Sequence, residues 1–201
     1  NQNLVYHALS YYFHEGYTYI ELGDGDDLWK HHNFHEIFTA HRVIFEILMR
    51  YHAENRFYMM LGNHDIEKAY PRFVNAQLHT FFDEISQTRK PFFPNLEIYP
   101  GLILEHEPTK RELYLVHGHQ GDLMSDLLWP VGRFFVRAFW RNLQLYGLGD
   151  PTSAAKNFTI AKRVDKKLIY WSRENRKMIV AGHTHRPRFP AEPPHHVRCE
   201  Y

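Results

Sequence analysis

The 201-residue sequence predicts an α/β domain built on parallel strands, and two observations carry that prediction. Four short apolar runs each end in a cluster of Asp, Asn or His. Tyr19-Ile20-Glu21-Leu22 leads into Gly23-Asp24-Gly25-Asp26-Asp27, and Tyr58-Met59-Met60-Leu61 into Gly62-Asn63-His64-Asp65. Tyr114-Leu115-Val116 leads into His117-Gly118-His119, and Met178-Ile179-Val180 into Ala181-Gly182-His183-Thr184-His185. A strand buried in a parallel sheet reads as a short apolar run, and open α/β sheets hold ligands at its carboxyl end. The second observation is an alternation of helical and strand periodicity along the N-terminal half, the grammar of βαβ units.

Leu4 to Phe13 reads as an amphipathic helix stopped by Gly16, with a strand entered at Tyr17. Phe34, Ile37, Phe38, His41, Ile44, Phe45, Leu48 and Tyr51 recur at helical spacing and predict one helix over residues 35–53. Arg56 to Leu61 is the next strand. Residues 68–95, with Phe81-Phe82 and Pro91-Phe92-Phe93-Pro94, predict a helix followed by irregular chain. Leu96–Tyr99, Leu102–Glu105 and Glu112–Val116 predict three strands, the last two joined by a turn at Pro108-Thr109-Lys110. Helical period then dominates. Leu127, Leu128, Val131, Phe134, Phe135, Ala138 and Phe139 share one face, and a second helix spans Ala155 to Ser172 after the Gly149-Asp150-Pro151-Thr152 break. Residues 121–175 are therefore expected to form a helical insertion or cap inside a single domain spanning 1–201. Residues 186–201 are Pro-rich and irregular.

Composition sets further bounds. Apolar residues make up 44% of the chain, ordinary for a globular domain. A formal net charge of +1 gives no general attraction to nucleic acid or acidic membranes. One cysteine, Cys199, excludes an internal disulfide framework and fits a reducing compartment, so a cytoplasmic location is expected. No apolar run approaches the ~20 residues that span a bilayer, and no signal-peptide pattern opens the chain.

The 16 histidines are the compositional oddity, and only those in the four loops have a spacing argument. Asp24, after a glycine at a strand end, can bridge two cations through its two oxygens, or serve as a turn or helix-cap carboxylate. Asp27 is better explained as a loop or capping group. Asn63 offers a neutral carbonyl oxygen to a metal. His64 is free to act on a substrate, and Asp65 can accept the other imidazole N–H and so raise its basicity. In an extended loop the alternation of His183 and His185 puts both imidazoles on one side, suiting one metal or two adjacent ones. Oxygen and imidazole donors without thiolate suit Mn, Fe, Zn, Co or similar divalent ions. Such a donor set fits a two-metal hydrolase, with ions ~3.5–4 Å apart.

The order GDxxD, GNHD, a strand-end His and then GHTH resembles the calcineurin-like metallophosphoesterases from about residue 17 to 186. That resemblance implies a sandwich of two mixed sheets flanked by helices, with a dinuclear centre that hydrolyses phosphate esters. It implies that Asp24 bridges the metals, that Asn63, His117 and His183 hold the second, and that His185 belongs to the first. His64 and Asp65 would be the catalytic pair. The family's opening D-x-H motif is not in this chain, since Val5 stands two residues before His7. The first metal then retains Asp24 and His185 here, and the opening strand is expected to lie outside these 201 residues.

The substrate expected is a small phosphorylated compound, with no nucleic acid and with peripheral membrane contact left open. Arg133, Arg137 and Arg141 recur at four-residue spacing beside Trp129 and Trp140, as either a solvated helix face or a basic, aromatic lid for an anionic or lipid-like substrate. A helical insertion at this position is similar to that of UDP-2,3-diacylglucosamine pyrophosphohydrolases, which implies a nucleotide-linked lipid as the alternative substrate. A non-catalytic metal-binding scaffold of the same fold is the competing class. His64 and Asp65 argue against it, because a scaffold has no use for a catalytic histidine.

Overall fold

In the computed structural model, helix α1 (Gln2–His14) buries Leu9 and Phe13, one turn apart, and stops where Gly16 enters the left-handed region at φ +82°. The stop satisfies its own backbone: Gly16 N–H donates to Phe13 O and Tyr17 N–H to Tyr12 O. Arg56 completes the cap, donating to Phe13 O at 3.1 Å and Tyr17 O at 2.8 Å with its guanidinium 4.4 Å from the Phe13 ring centroid. Residues 2–26, 28, 33–83, 86–119 and 158–185 are described, and the chain divides into two compact units, Asn1–Pro100 and Gly101–Tyr201.

In the first unit, β1 (Tyr19–Glu21) pairs parallel with β2 (Phe57–Met60), and β2 parallel with β5 (Ile98–Tyr99). Parallel pairing of Tyr19 with Phe57 and Glu21 with Met59 releases the loops after β1 and β2 at one edge of the sheet. Helices α2 (Phe34–Ala40) and α3 (Arg42–Ala53) connect the two strands. The single helix expected over 35–53 is thus two. The backbone leaves helical angles at His41 (φ −124°, ψ 28°), whose N–H donates to both Ile37 O and Phe38 O. Periodicity reports which side chains face the core, and most of that stripe is correct: Phe34, Ile37, Phe38, Phe45, Leu48 and Tyr51 are all buried. It does not report whether the backbone between them is continuous.

A 3₁₀ turn (Ile66–Ala69) and α4 (Pro71–Gln77) follow β2, and then β3 (Thr80–Asp83) and β4 (Thr88–Pro91) form an antiparallel hairpin. Irregular chain was the expectation there. The segment Thr88-Arg89-Lys90-Pro91 is exposed throughout and has no apolar residue, so only its pairing with β3 makes it a strand. Phe92 and Phe93, beyond it, are buried with ring centroids 4.2 Å apart and pack into the aromatic core with Phe34, Phe38, Phe45 and Phe57.

In the second unit, β6 (Gly101–His106) runs antiparallel to β7 (Arg111–Val116), and β7 parallel to β8 (Met178–Ala181). The turn between β6 and β7 closes at the expected place, with Thr109 and Lys110 N–H both donating to His106 O. Helix α5 (Phe158–Asn175) precedes β8 and sets Trp171 edge-on to Tyr114 at 5.3 Å. Parallel pairing of Val116 with Ala181 sends the loops after β7 and β8 off one edge.

The fold is α/β, with three small sheets among the described residues where two were expected. The helix expected around 127–139, the start of the one expected at 155, and the tail 186–201 lie outside the described residues. No helix among the described residues is long and apolar enough to cross a membrane.

Candidate metal centre

The first unit brings its two donor loops together by letting them touch backbone to backbone. A Cβ on Gly23 (φ +90°) would lie 2.6 Å from Gly62 N, and one on Gly62 would overlap the Asp24 carboxylate. Only glycine fits at either position. Asp24 follows at φ +61°, and its Oδ1 accepts the N–H of His64 at 2.8 Å. Asn63 is buried beside it and His64 is half-buried. Asp65 is fully buried: Oδ1 accepts from Gly62 N–H at 2.7 Å, and Oδ2 lies 2.9 Å from Lys68 Nζ. The carboxylate expected to orient His64 therefore closes the loop that carries it.

Beneath these loops lies a buried charge cluster that the sequence did not announce. Lys68 Nζ, fully buried, is 2.7 Å from Asp26 Oδ2, 2.9 Å from Asp65 Oδ2 and 3.8 Å from Glu21 Oε1. Burial pushes the Glu21 carboxyl up to about 7, against the pull of Lys68 and with further push from Asp26 and Asp65. Burial likewise raises Asp26 to about 6 against the same lysine. For Lys68, burial alone would lower the pKa, but three carboxylates outweigh it and hold the ammonium well above the ordinary lysine value. Gly25 belongs to the same packing, since a Cβ there would overlap the Glu21 carboxyl.

The second unit gathers imidazoles. The His117 and His183 rings have centroids 5.2 Å apart, both are buried, and a nitrogen of one lies within 4.8 Å of a nitrogen of the other. Two imidazoles on one ion, with bonds of about 2.0–2.1 Å, hold their nitrogens no more than about 4.2 Å apart, so the pair stands near ligating distance. Gly182 N–H donates to His117 O at 2.9 Å, which carries the β7–β8 ladder one step into the loops. Gly118 turns at φ +105°, where a Cβ would rest 3.4 Å from that of His183.

The loop after β8 corrects one expectation. It is not extended, so alternation does not put His183 and His185 on one side. Thr184 N–H donates to Gly182 O at 2.7 Å, closing a three-residue turn around His183, and His183 and His185 both have positive φ (+64° and +52°). His183 and Thr184 are buried while His185 is exposed. Thr184 Oγ1 donates to Asp165 Oδ1 on α5 at 3.0 Å, which fixes the turn. Three of the five expected ligands, Asp24, His183 and His185, are thus non-glycine residues in the left-handed region. Strain of that kind costs on the order of 1–3 kcal/mol per residue and clusters at functional sites.

Sequence reasoning missed His119, buried with its ring 5.4 Å from His117 and 6.5 Å from His183. Its signal was the second histidine of His117-Gly118-His119. It also missed Glu21, Asp26 and Lys68, whose only signal was the acidic richness of the first loop. Asp27, Arg133, Arg137 and Arg141 lie outside the described residues.

Each unit carries donors of the type a divalent ion takes: in the first, the Asp24 carboxylate and the Asn63 amide oxygen; in the second, the buried imidazoles of His117 and His183. The model for the calcineurin-like phosphoesterase family matches residues 8–187 of the chain. No curated protein and no solved structure matches it.

Proposed function

Because the chain belongs to the calcineurin-like phosphoesterase family, we propose that it hydrolyses a small phosphate ester at a dinuclear divalent-metal centre. The donor set carries the reading: Asp24, His117 and His183 offer one oxygen and two nitrogens of the type such ions take. In this proposal Asp24 would bind both ions, Asn63, His117 and His183 would hold one of them, and His185 would serve the other. When bound, the ions neutralise phosphate charge and lower the pKa of an attacking water.

The chain's own residues do the rest. His64, half-buried on a loop held by Gly62 and Asp65, protonates the leaving oxygen. Its backbone N–H bond to Asp24 fixes the His64 backbone relative to that carboxylate. Asp65 positions His64 through the loop it closes.

The test is elemental analysis of the purified protein together with hydrolysis of an aryl phosphate in added Mn(II). Two ions per chain and metal-dependent turnover are expected. A chain that binds no transition metal and cleaves no phosphate ester overturns the reading.

A further inference from the structure

We propose that Lys68 is a positioning residue for the metal centre, its buried ammonium tying the loop that carries Asp24 to the loop that carries Asn63 and His64. The proposal rests on the metal-dependent reading above and adds to it a residue outside every motif.

The geometry begins with the short helix. Lys68 N–H donates to Asp65 O at 3.0 Å in the 3₁₀ turn Ile66–Ala69, and residues three apart in such a turn eclipse one another. That sets the lysine side chain against the Asp65 carboxylate at 2.9 Å. The same Nζ reaches Asp26 Oδ2 at 2.7 Å, two residues beyond Asp24 in the other loop. Asp65 Oδ1 in turn accepts from Gly62 N–H at the root of the second loop. One cation therefore bonds a carboxylate from each loop.

The two loops also meet through Asp24 Oδ1 and His64 N–H, but that oxygen belongs to a proposed ligand and must answer to the metal as well. The Lys68 link draws on no ligand atom. It is also dry: the lysine, Asp26 and Asp65 are each buried, so the charge-assisted bonds are not weakened by solvent. Well-packed apolar residues can often replace a buried ion pair without loss of stability, so the charge here is read by what it holds in place. A cation held between two loops is explained by what it fixes, the separation of the oxygens of Asp24 and Asn63.

The experiment compares full-length wild type, Lys68→Met and the charge-balanced Lys68→Met/Asp26→Asn, with Mn(II) as the probe in titration calorimetry and an aryl phosphate as substrate. The expected result is a Mn(II) affinity at least tenfold weaker in whichever variants fold, with kcat reduced and KM little changed. A folded variant with lower Tm but wild-type Mn(II) affinity and kcat overturns the proposal, since the lysine would then only support the core. Failure of both variants to fold overturns it for the same reason. Wild type that neither binds Mn(II) nor cleaves the ester removes the metal-dependent reading itself, and this proposal with it.

Discussion

The N–H of His64 donates to Asp24 Oδ1 across 40 residues of sequence, at 2.8 Å. A residue assigned to proton transfer is thereby fixed to a residue assigned to metal binding, by a bond that needs only the His64 backbone. His64→Ala keeps that bond. It should retain metal and lose turnover by roughly 10²–10⁴-fold, the range for a general acid–base group. Metal analysis beside kcat checks this, and metal loss in His64→Ala would mean that the imidazole is itself a ligand.

Asn63→Ala and His183→Ala should behave in the opposite way. Each removes a donor from a buried position, so bound metal should fall before any change in His64 chemistry. Activity should return in part at high Mn(II). Full metal retention in both would exclude them as ligands.

The glycines separate packing from backbone strain. Gly16→Ala places a methyl in open space at φ +82° and should cost only about 1–2 kcal/mol, the strain of a left-handed residue. Gly23→Ala, at φ +90° with Gly62 N only 2.6 Å from the new Cβ, adds a backbone clash and must part the two loops. Calorimetric Tm should drop further for Gly23→Ala, and only that variant should lose Mn(II) affinity.

Glu21 makes stability fall as pH rises. Its folded pKa of about 7 lies above the ordinary 4.5, so the folded chain holds a proton that the unfolded chain has already released between those values. Below 4.5 the group is protonated in both states and costs nothing; above 7 the full penalty of burying its charge is present. Glu21→Gln cannot titrate. The Tm of the variant relative to wild type should therefore rise between pH 4.5 and 7 and level off above, and a flat difference would show that Glu21 stays ionised.

Thr184→Val removes the hydroxyl that donates to the buried Asp165. Losing a hydrogen bond to a carboxylate costs about 1.5–3 kcal/mol, which lowers Tm by about 3–12 °C in a chain of this size. Mn(II) affinity should fall less than in His183→Ala, since the imidazole remains. A Tm equal to wild type would remove Thr184 from the turn's support.

By itself the sequence determined the α/β class, the strands after which the four polar loops begin, and the residue types able to take a metal. Those features are local: an apolar run of strand length, a glycine where the backbone must turn, and an Asp, Asn or His at its end. The tertiary structure alone decided what depends on contacts between distant segments. Thr88–Pro91 is a strand only because Thr80–Asp83 pairs with it. His183 is buried and His185 exposed in a turn whose Thr184 is tied to Asp165, a residue on another element. Lys68 looks like any surface lysine until the 3₁₀ turn and the parallel pairing of β1 with β2 place Asp26, Asp65 and Glu21 around it. A one-dimensional pattern records which side chains seek the core, whereas a buried charge survives only through partners that the fold supplies.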